Sequence, residues 1–141
     1  MENKKIIVAY DGSSYSERGL AMAATLAKAL PADVALVSVI DIVRHMNDEA
    51  GDFDAPYAVF KKEAEHSIVL GKARAAELGI TATGKVLEGN PPDEILKYAQ
   101  TEKAYMIIVG SRGKGGFQRM LLGSTAHALV TYSDIPVVVA K

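Results

Sequence analysis

Short runs of valine and isoleucine alternate along this chain with longer segments whose apolar residues recur at helical spacing, and that alternation leaves few folds open. Residues 6–10, 34–40, 80–87, 106–109 and 137–140 read as strands. Segments 14–30, 56–78 and 93–101, and another starting near Ser124, read as helices. In the first of these Leu20, Ala23, Ala24, Ala27 and Leu30 share one face, Ser14-x-x-Glu17 fits a capping box, and Pro31 ends the run. Gly79 closes the second helix, Gly89-Asn90-Pro91-Pro92 is a turn that opens the third, and Asp134-Ile135-Pro136 breaks the fourth. Between the second strand and the second helix lies an irregular, partly acidic segment, 41–55. Strands 1, 2, 4 and 5 show no polar alternation, as expected of parallel strands covered by helices on both faces. Right-handed crossovers then give a three-layer, doubly wound parallel sheet of five strands.

The chain has 141 residues, the length of one ordinary domain, and neither linker nor repeat divides residues 1–141. With 49% hydrophobic residues and a net charge of -1 it is too apolar and too neutral for a disordered polypeptide. Cysteine is absent, which rules out disulfides, zinc thiolate sites and thiol chemistry. The first apolar run (Ile6, Ile7, Val8, Ala9) stops at Asp11-Gly12, short of the roughly 7–15 residues of a secretory signal. No run approaches the roughly 18 apolar residues of a membrane span. Lysine and arginine are scattered, not gathered into the basic stripe of a nucleic-acid surface. The expectation is a cytoplasmic protein with no membrane and no nucleic-acid partner.

Parallel sheets take their ligands beyond the carboxyl ends of the strands, where the direction of connection reverses. Two loops stand there. Asp11-Gly12-Ser13-Ser14 follows strand 1, and Gly110-Ser111-Arg112-Gly113-Lys114-Gly115-Gly116 follows strand 4 and leads to Gly123-Ser124-Thr125 at a helix start. Glycines let backbone N–H groups approach an anion, and a helix start adds unpaired donors and the positive end of its dipole. Arg112 and Lys114 supply charge beside them. Together these features describe a polyphosphate cradle. It is neither a G-x-x-x-x-G-K-[ST] loop nor a G-x-G-x-x-G fingerprint, since neither pattern occurs.

The spacing Gly110-x2-Gly113-x9-Gly123-Ser124 resembles the signature of the nucleotide-binding branch of the universal stress protein family. The resemblance extends to Val8-Ala9-Tyr10-Asp11-Gly12-Ser13, Ser38-Val39-Ile40-Asp41, Glu88-Gly89-Asn90-Pro91 and Pro136-Val137-Val138-Val139, in order along nearly the whole chain. It implies an adenine nucleotide α-hydrolase-like sheet of order 3-2-1-4-5. It also implies ATP, with or without Mg2+, and the candidate binding residues are then Ala9, Asp11, Val39, Gly110, Arg112, Gly113, Gly123, Ser124 and Thr125. In that carry-over Asp11 bonds the ribose, Gly110 lies near the sugar, the Val39 backbone reads the adenine edge, and Gly113, Gly123, Ser124 and Thr125 hold the phosphates. The family often has an acidic residue where this chain has Tyr105, at the strand end away from the ligand. The resemblance further implies a homodimer paired through strand 5 (Val137, Val138, Val139), an edge whose apolar side chains a monomer would expose.

Plainer roles stand beside these. Asp11 fits a turn or cap ahead of Ser14. Arg112 and Lys114 fit solvated charges. His45, His66 and His127 lack ligand-spaced companions, and Asp48, Glu49, Asp52 and Asp54 miss the calcium-loop pattern. Met22, Met46, Met106 and Met120 fit packing or loop positions. Asp11 reads as the one carboxylate near the site, and no base accompanies Ser124 or Thr125, so the chain reads as a nucleotide-dependent regulator with at most slow ATP hydrolysis or self-phosphorylation. Two alternatives remain. One is an ATP-cleaving enzyme of the α-hydrolase type, although Asp11-Gly12-Ser13-Ser14 does not match that group's Ser-Gly-Gly-x-Asp-Ser loop. The other is an adaptor dimer that binds no nucleotide.

Overall fold

In the computed structural model, which describes residues 3–42, 54–113 and 122–141, strand and helix alternate as β1 (Lys4–Ala9), α1 (Ser14–Ala29), β2 (Ala32–Asp41), α2 (Asp54–Glu77), β3 (Ala82–Gly89), α3 (Pro91–Thr101), β4 (Met106–Gly110), α4 (Ser124–Tyr132) and β5 (Val137–Ala140). All strand pairs are parallel and the order is β3-β2-β1-β4-β5. Chain direction across the sheet reverses between β1 and β4, so the loops after those two strands open side by side.

Residue parity along each strand divides the core between the two faces. Ile6, Val8, Val34, Leu36 and Ile108 point into a cluster with Leu20, Ala23 and Ala27 of α1 and Ile68 and Ala75 of α2. Their neighbours Ile7, Ala35, Val37, Ile107 and Val109 point into a second cluster with Ile95 and Ala99 of α3 and Ala126 and Leu129 of α4. The three inner strands are therefore apolar at consecutive positions. β5 is half-buried throughout, as an edge strand must be, and β3 forms the other edge.

Several boundaries differ from the sequence expectation for local reasons. β1 starts at Lys4 and β2 at Ala32, because the polar beginnings of these strands still pair (Lys4 with Ala32, Lys5 with Asp33) where the sheet meets solvent. β3 runs over Ala82–Gly89, not 80–87. After α2, Gly79 adopts φ +84° and the Ile80 N–H turns back to the Ala75 carbonyl, so Ile80 completes a helix end and packs on the first cluster. α2 and α3 begin earlier than expected, at Asp54 and Pro91, since prolines fit a first turn where their missing N–H costs nothing. Ser13, not Ser14, caps α1: its hydroxyl accepts from the Ser16 N–H. Glu17 then lies one position too far along to complete a capping box and instead accepts the Tyr10 hydroxyl.

α2 lies against the sheet where two glycines permit it. A Cβ on Gly84 would collide with Ile68 Cγ2, and one on Gly71 would meet Leu36 Cδ1 at 2.7 Å and the Tyr10 ring at 3.1 Å. Among the described residues no helix is long and apolar enough to cross a membrane.

Gly71→Ala sets two effects against each other. Alanine favours a helix interior by about 1 kcal/mol over glycine, whereas overpacking costs about 1–3 kcal/mol. Leu36 is 0% and Tyr10 2% exposed, so neither can move aside and overpacking dominates. The expected outcome is a net loss of up to about 2 kcal/mol, read as a lower urea midpoint at unchanged slope.

Candidate functional site

The carboxyl ends of β1, β2 and β4 border a cleft of about 540 Å³, within the usual range for small-molecule sites of roughly 300–1,000 Å³. Its floor is made by strand ends, among them Ala9, Val39 and Gly110. One wall is α2, with Phe60, Glu63, Ala64 and Ser67; the other includes Pro91 and Ile95 at the start of α3. Arg112, Gly113, Gly123, Ser124 and Thr125 close the end beside α4.

Asp11 leaves β1 immediately after Tyr10, whose N–H bonds the Val37 carbonyl of β2. The Asp11 carboxylate accepts from the Ser13 N–H at 2.9 Å, Gly12 turns the chain at φ +82°, and Ser13 caps α1. Asp11 is thus a turn residue and also lines the cleft. A Cβ on Gly113 would lie 3.1 Å from Asp11 Oδ2, so the loops after β1 and β4 are nearly in contact.

The two glycine clusters meet directly. The Gly123 N–H donates to the Ser111 carbonyl at 2.6 Å, and a Cβ on Gly123 would lie 3.2 Å from that oxygen and 3.3 Å from Arg112 Cα. Gly123 is the N-cap of α4 with φ -67° and ψ 161°, and no side chain among the described residues caps the helix. The N–H groups of its first turn therefore have no intrahelical acceptor, at the end facing the cleft. Glycine at 110 has a different cause. A Cβ there would meet Tyr15 Cβ at 2.7 Å and the Tyr15 carbonyl carbon at 2.9 Å, so it admits the first turn of α1 against β4.

Arg112 donates from Nη1 to the Tyr15 hydroxyl at 3.3 Å, and its Nε is buried without a hydrogen-bond partner among the described residues. Beneath the cleft the Tyr10 hydroxyl donates to Glu17, which Arg74 approaches at 3.8 Å. Burial, and then that hydrogen bond, push the Tyr10 phenol well above its ordinary pKa, so it remains a donor.

All nine residues singled out from sequence (Ala9, Asp11, Val39, Gly110, Arg112, Gly113, Gly123, Ser124 and Thr125) line this one cleft. Asp11 is not the sole carboxylate residue there, since Asp41 and Glu63 line it too. The α2 residues carried no signal in the sequence, because helical spacing does not say which face will border a cavity. Asp41 could have been found from its place at the end of β2. Lys114, Gly115 and Gly116 lie outside the described residues, as do His45, Met46, Asp48, Glu49, Asp52 and Met120. No group of three metal-ligating side chains occurs among the described residues. Tyr105 precedes β4 at the far end of the sheet, under the Lys4 ammonium at 5.2 Å.

Comparison with known proteins gives a consistent result. A family model described as "Universal stress protein family" matches residues 2–141. Universal stress protein MJ0531 of Methanocaldococcus jannaschii is 33% identical over 98% of this chain and 82% of its own length. Universal stress protein YxiE of Bacillus subtilis is 31% identical over 97% of this chain and 98% of its own. Among solved structures, hypothetical protein MJ0577, studied for structure-based assignment of its biochemical function, superposes with a TM-score of 0.83 at 28% identity, covering 100% of this chain and 97% of that one.

Asp11→Asn should keep the turn, since the amide oxygen still accepts from Ser13, and leave stability within about 0.5 kcal/mol. Asp11→Ala should lose about 1 kcal/mol with that bond. Equal urea midpoints for the two variants would show that the turn does not depend on this side chain.

Proposed function

Because the chain belongs to the universal stress protein family, we propose that it is a cytoplasmic, ATP-binding regulator of the stress response, with its nucleotide in the cleft between the loops after β1 and β4. The observation that carries this reading is the start of α4, which no described side chain caps and which faces the same cleft as Asp11, Arg112 and Gly113. Fixed N–H dipoles at a helix start suit phosphate, and the buried Arg112 Nε is a donor with no acceptor among the described residues. Asp11 would bond the ribose, the Val39 backbone would read adenine, and Gly113, Gly123, Ser124 and Thr125 would hold the phosphates. The bound nucleotide supplies charge and order, and Mg2+, where present, would ride mainly on the phosphates. Asp41 and Glu63 keep slow hydrolysis or self-phosphorylation within reach of this cleft. The reading predicts ADP or AMP among the products only at a low rate. Rapid release of pyrophosphate would favour the ATP-cleaving enzyme.

Ser124→Pro is the direct test. Residue 124 is the first helical position, where proline is welcome, and Gly123 already holds the extended backbone that must precede a proline. The change removes one N–H from the cradle and leaves the helix intact, whereas Gly123→Val would strike the Ser111 and Arg112 backbone and disturb the loop itself. ATP affinity should fall about tenfold in Ser124→Pro, as for one charge-assisted hydrogen bond, and by less than about threefold in Ser124→Ala. Equal affinities would remove the phosphates from this helix start, and protein that releases no nucleotide on denaturation and binds none in titration would favour the nucleotide-free adaptor.

The same reading includes a homodimer joined through β5, with Val137, Val138 and Val139 at the interface. Half-exposed valines at the sheet edge support it, as does Val130, 50% exposed on the helix before them. The ladder decides which residue tests it. Ile107 N–H bonds the Pro136 carbonyl and Ser111 N–H bonds the Ala140 carbonyl, so even-numbered residues of this stretch face β4 and Val139 turns its N–H outward. Val138→Pro would break the monomer's own sheet, whereas Val139→Pro removes only an outward donor. Val139→Pro should sediment as a folded monomer, and a persistent dimer would refute this interface.

A further inference from the structure

Tyr15 occupies the first turn of α1, outside the residues assigned above to the nucleotide. Two arginines converge on it. The Arg18 guanidinium lies 5.1 Å and that of Arg112 5.8 Å from its ring centroid, both within cation–π range. Arg112 also donates to the Tyr15 hydroxyl at 3.3 Å. Among the described residues no carboxylate pairs with Arg112. That choice of partner has a chemical consequence. An aspartate or glutamate would orient the guanidinium and cancel its charge, while a phenol and a ring face orient it and leave the charge available. Of the five N–H donors on the guanidinium, the one at Nε is buried with no acceptor among the described residues, and Arg112 lines the cleft together with Gly113, Gly123 and Ser124.

We propose that Tyr15 is a positioning residue that holds Arg112, still charged, at the phosphate end of the cleft and thereby sets a preference for nucleoside triphosphates over monophosphates. The inference rests on the nucleotide reading above. The backbone donors at the start of α4 serve any phosphate that reaches them. A fixed cation in the same wall adds most to the ligand with the greatest negative charge. Position also explains the packing of the loop: the glycine at 110 brings β4 against Tyr15, and two residues later the arginine reaches that tyrosine's hydroxyl.

The test compares ATP and AMP binding by calorimetric titration of the full-length chain and its variants. Arg112→Ala should weaken ATP about tenfold and AMP less than twofold, as expected for loss of one charged contact. Tyr15→Leu should reproduce that selective loss, about five- to tenfold for ATP alone. Tyr15→Phe, which keeps the ring and drops the hydroxyl, should fall between it and the unaltered protein. The double variant Arg112→Ala/Tyr15→Leu should be no worse than Arg112→Ala. A Tyr15→Leu protein that loses ATP and AMP equally, or keeps its ATP affinity, overturns the proposal, and so do additive losses in the double variant. If the unaltered chain binds neither nucleotide, the reading beneath it falls as well. If it binds both and Tyr15→Leu leaves their ratio unchanged, only the role of Tyr15 fails. Thermal unfolding of each variant in the absence of nucleotide separates a folding defect from a change in selectivity.

Discussion

The contact between the Gly123 N–H and the Ser111 carbonyl joins two stretches of chain that the sequence holds a dozen residues apart. Because of it, the start of α4 stands directly over the end of β4, and the cleft has a closed end. The join depends on glycine at one side, since any Cβ there would press on the Ser111 oxygen and Arg112 Cα. It depends on the sheet at the other, since the Ser111 N–H is held by the Ala140 carbonyl of β5. Ser111 is thus held at both its N–H and its carbonyl, in the two peptide groups that flank it, and hands that order on to Arg112 and Gly113.

The fold was legible because its two signals are strong and independent. Consecutive apolar residues in β1, β2 and β4 follow from burial on both faces, and the helices between them carry their own end signals in Pro31, Gly79 and Asn90-Pro91. What the periodicity did not convey is where pairing outlasts apolarity. Lys4 and Lys5 pair as strand residues because backbone donors must be satisfied whatever side chain they carry. Ile80 looked like strand and is helix closure, since the positive φ of Gly79 turns it back toward Ala75.

The site was legible in part. Residues at the carboxyl ends of strands and in the glycine loop could be named because topology assigns them a place. The wall from α2 could not, as Phe60, Glu63 and Ser67 differ in no local way from the rest of that helix. For Asp11 a plain role and a place in the cleft do not compete: the carboxylate that orders the turn also borders the cleft. Glycines divide similarly. Gly110 answers to Tyr15, Gly113 to Asp11 and Gly123 to the loop backbone, so a shared spacing in sequence conceals three separate steric causes.

The division of the core by residue parity has one more consequence. Ala64 and Ser67 belong to the helical layer on one side of the sheet, and Ile95 and Ala126 to the layer on the other, yet all four border the cleft. Elsewhere the two layers meet across the thickness of the strands. A molecule seated at the strand ends touches both at once and fastens them like a rivet through a laminate, so that the two halves of the interior would open together or not at all.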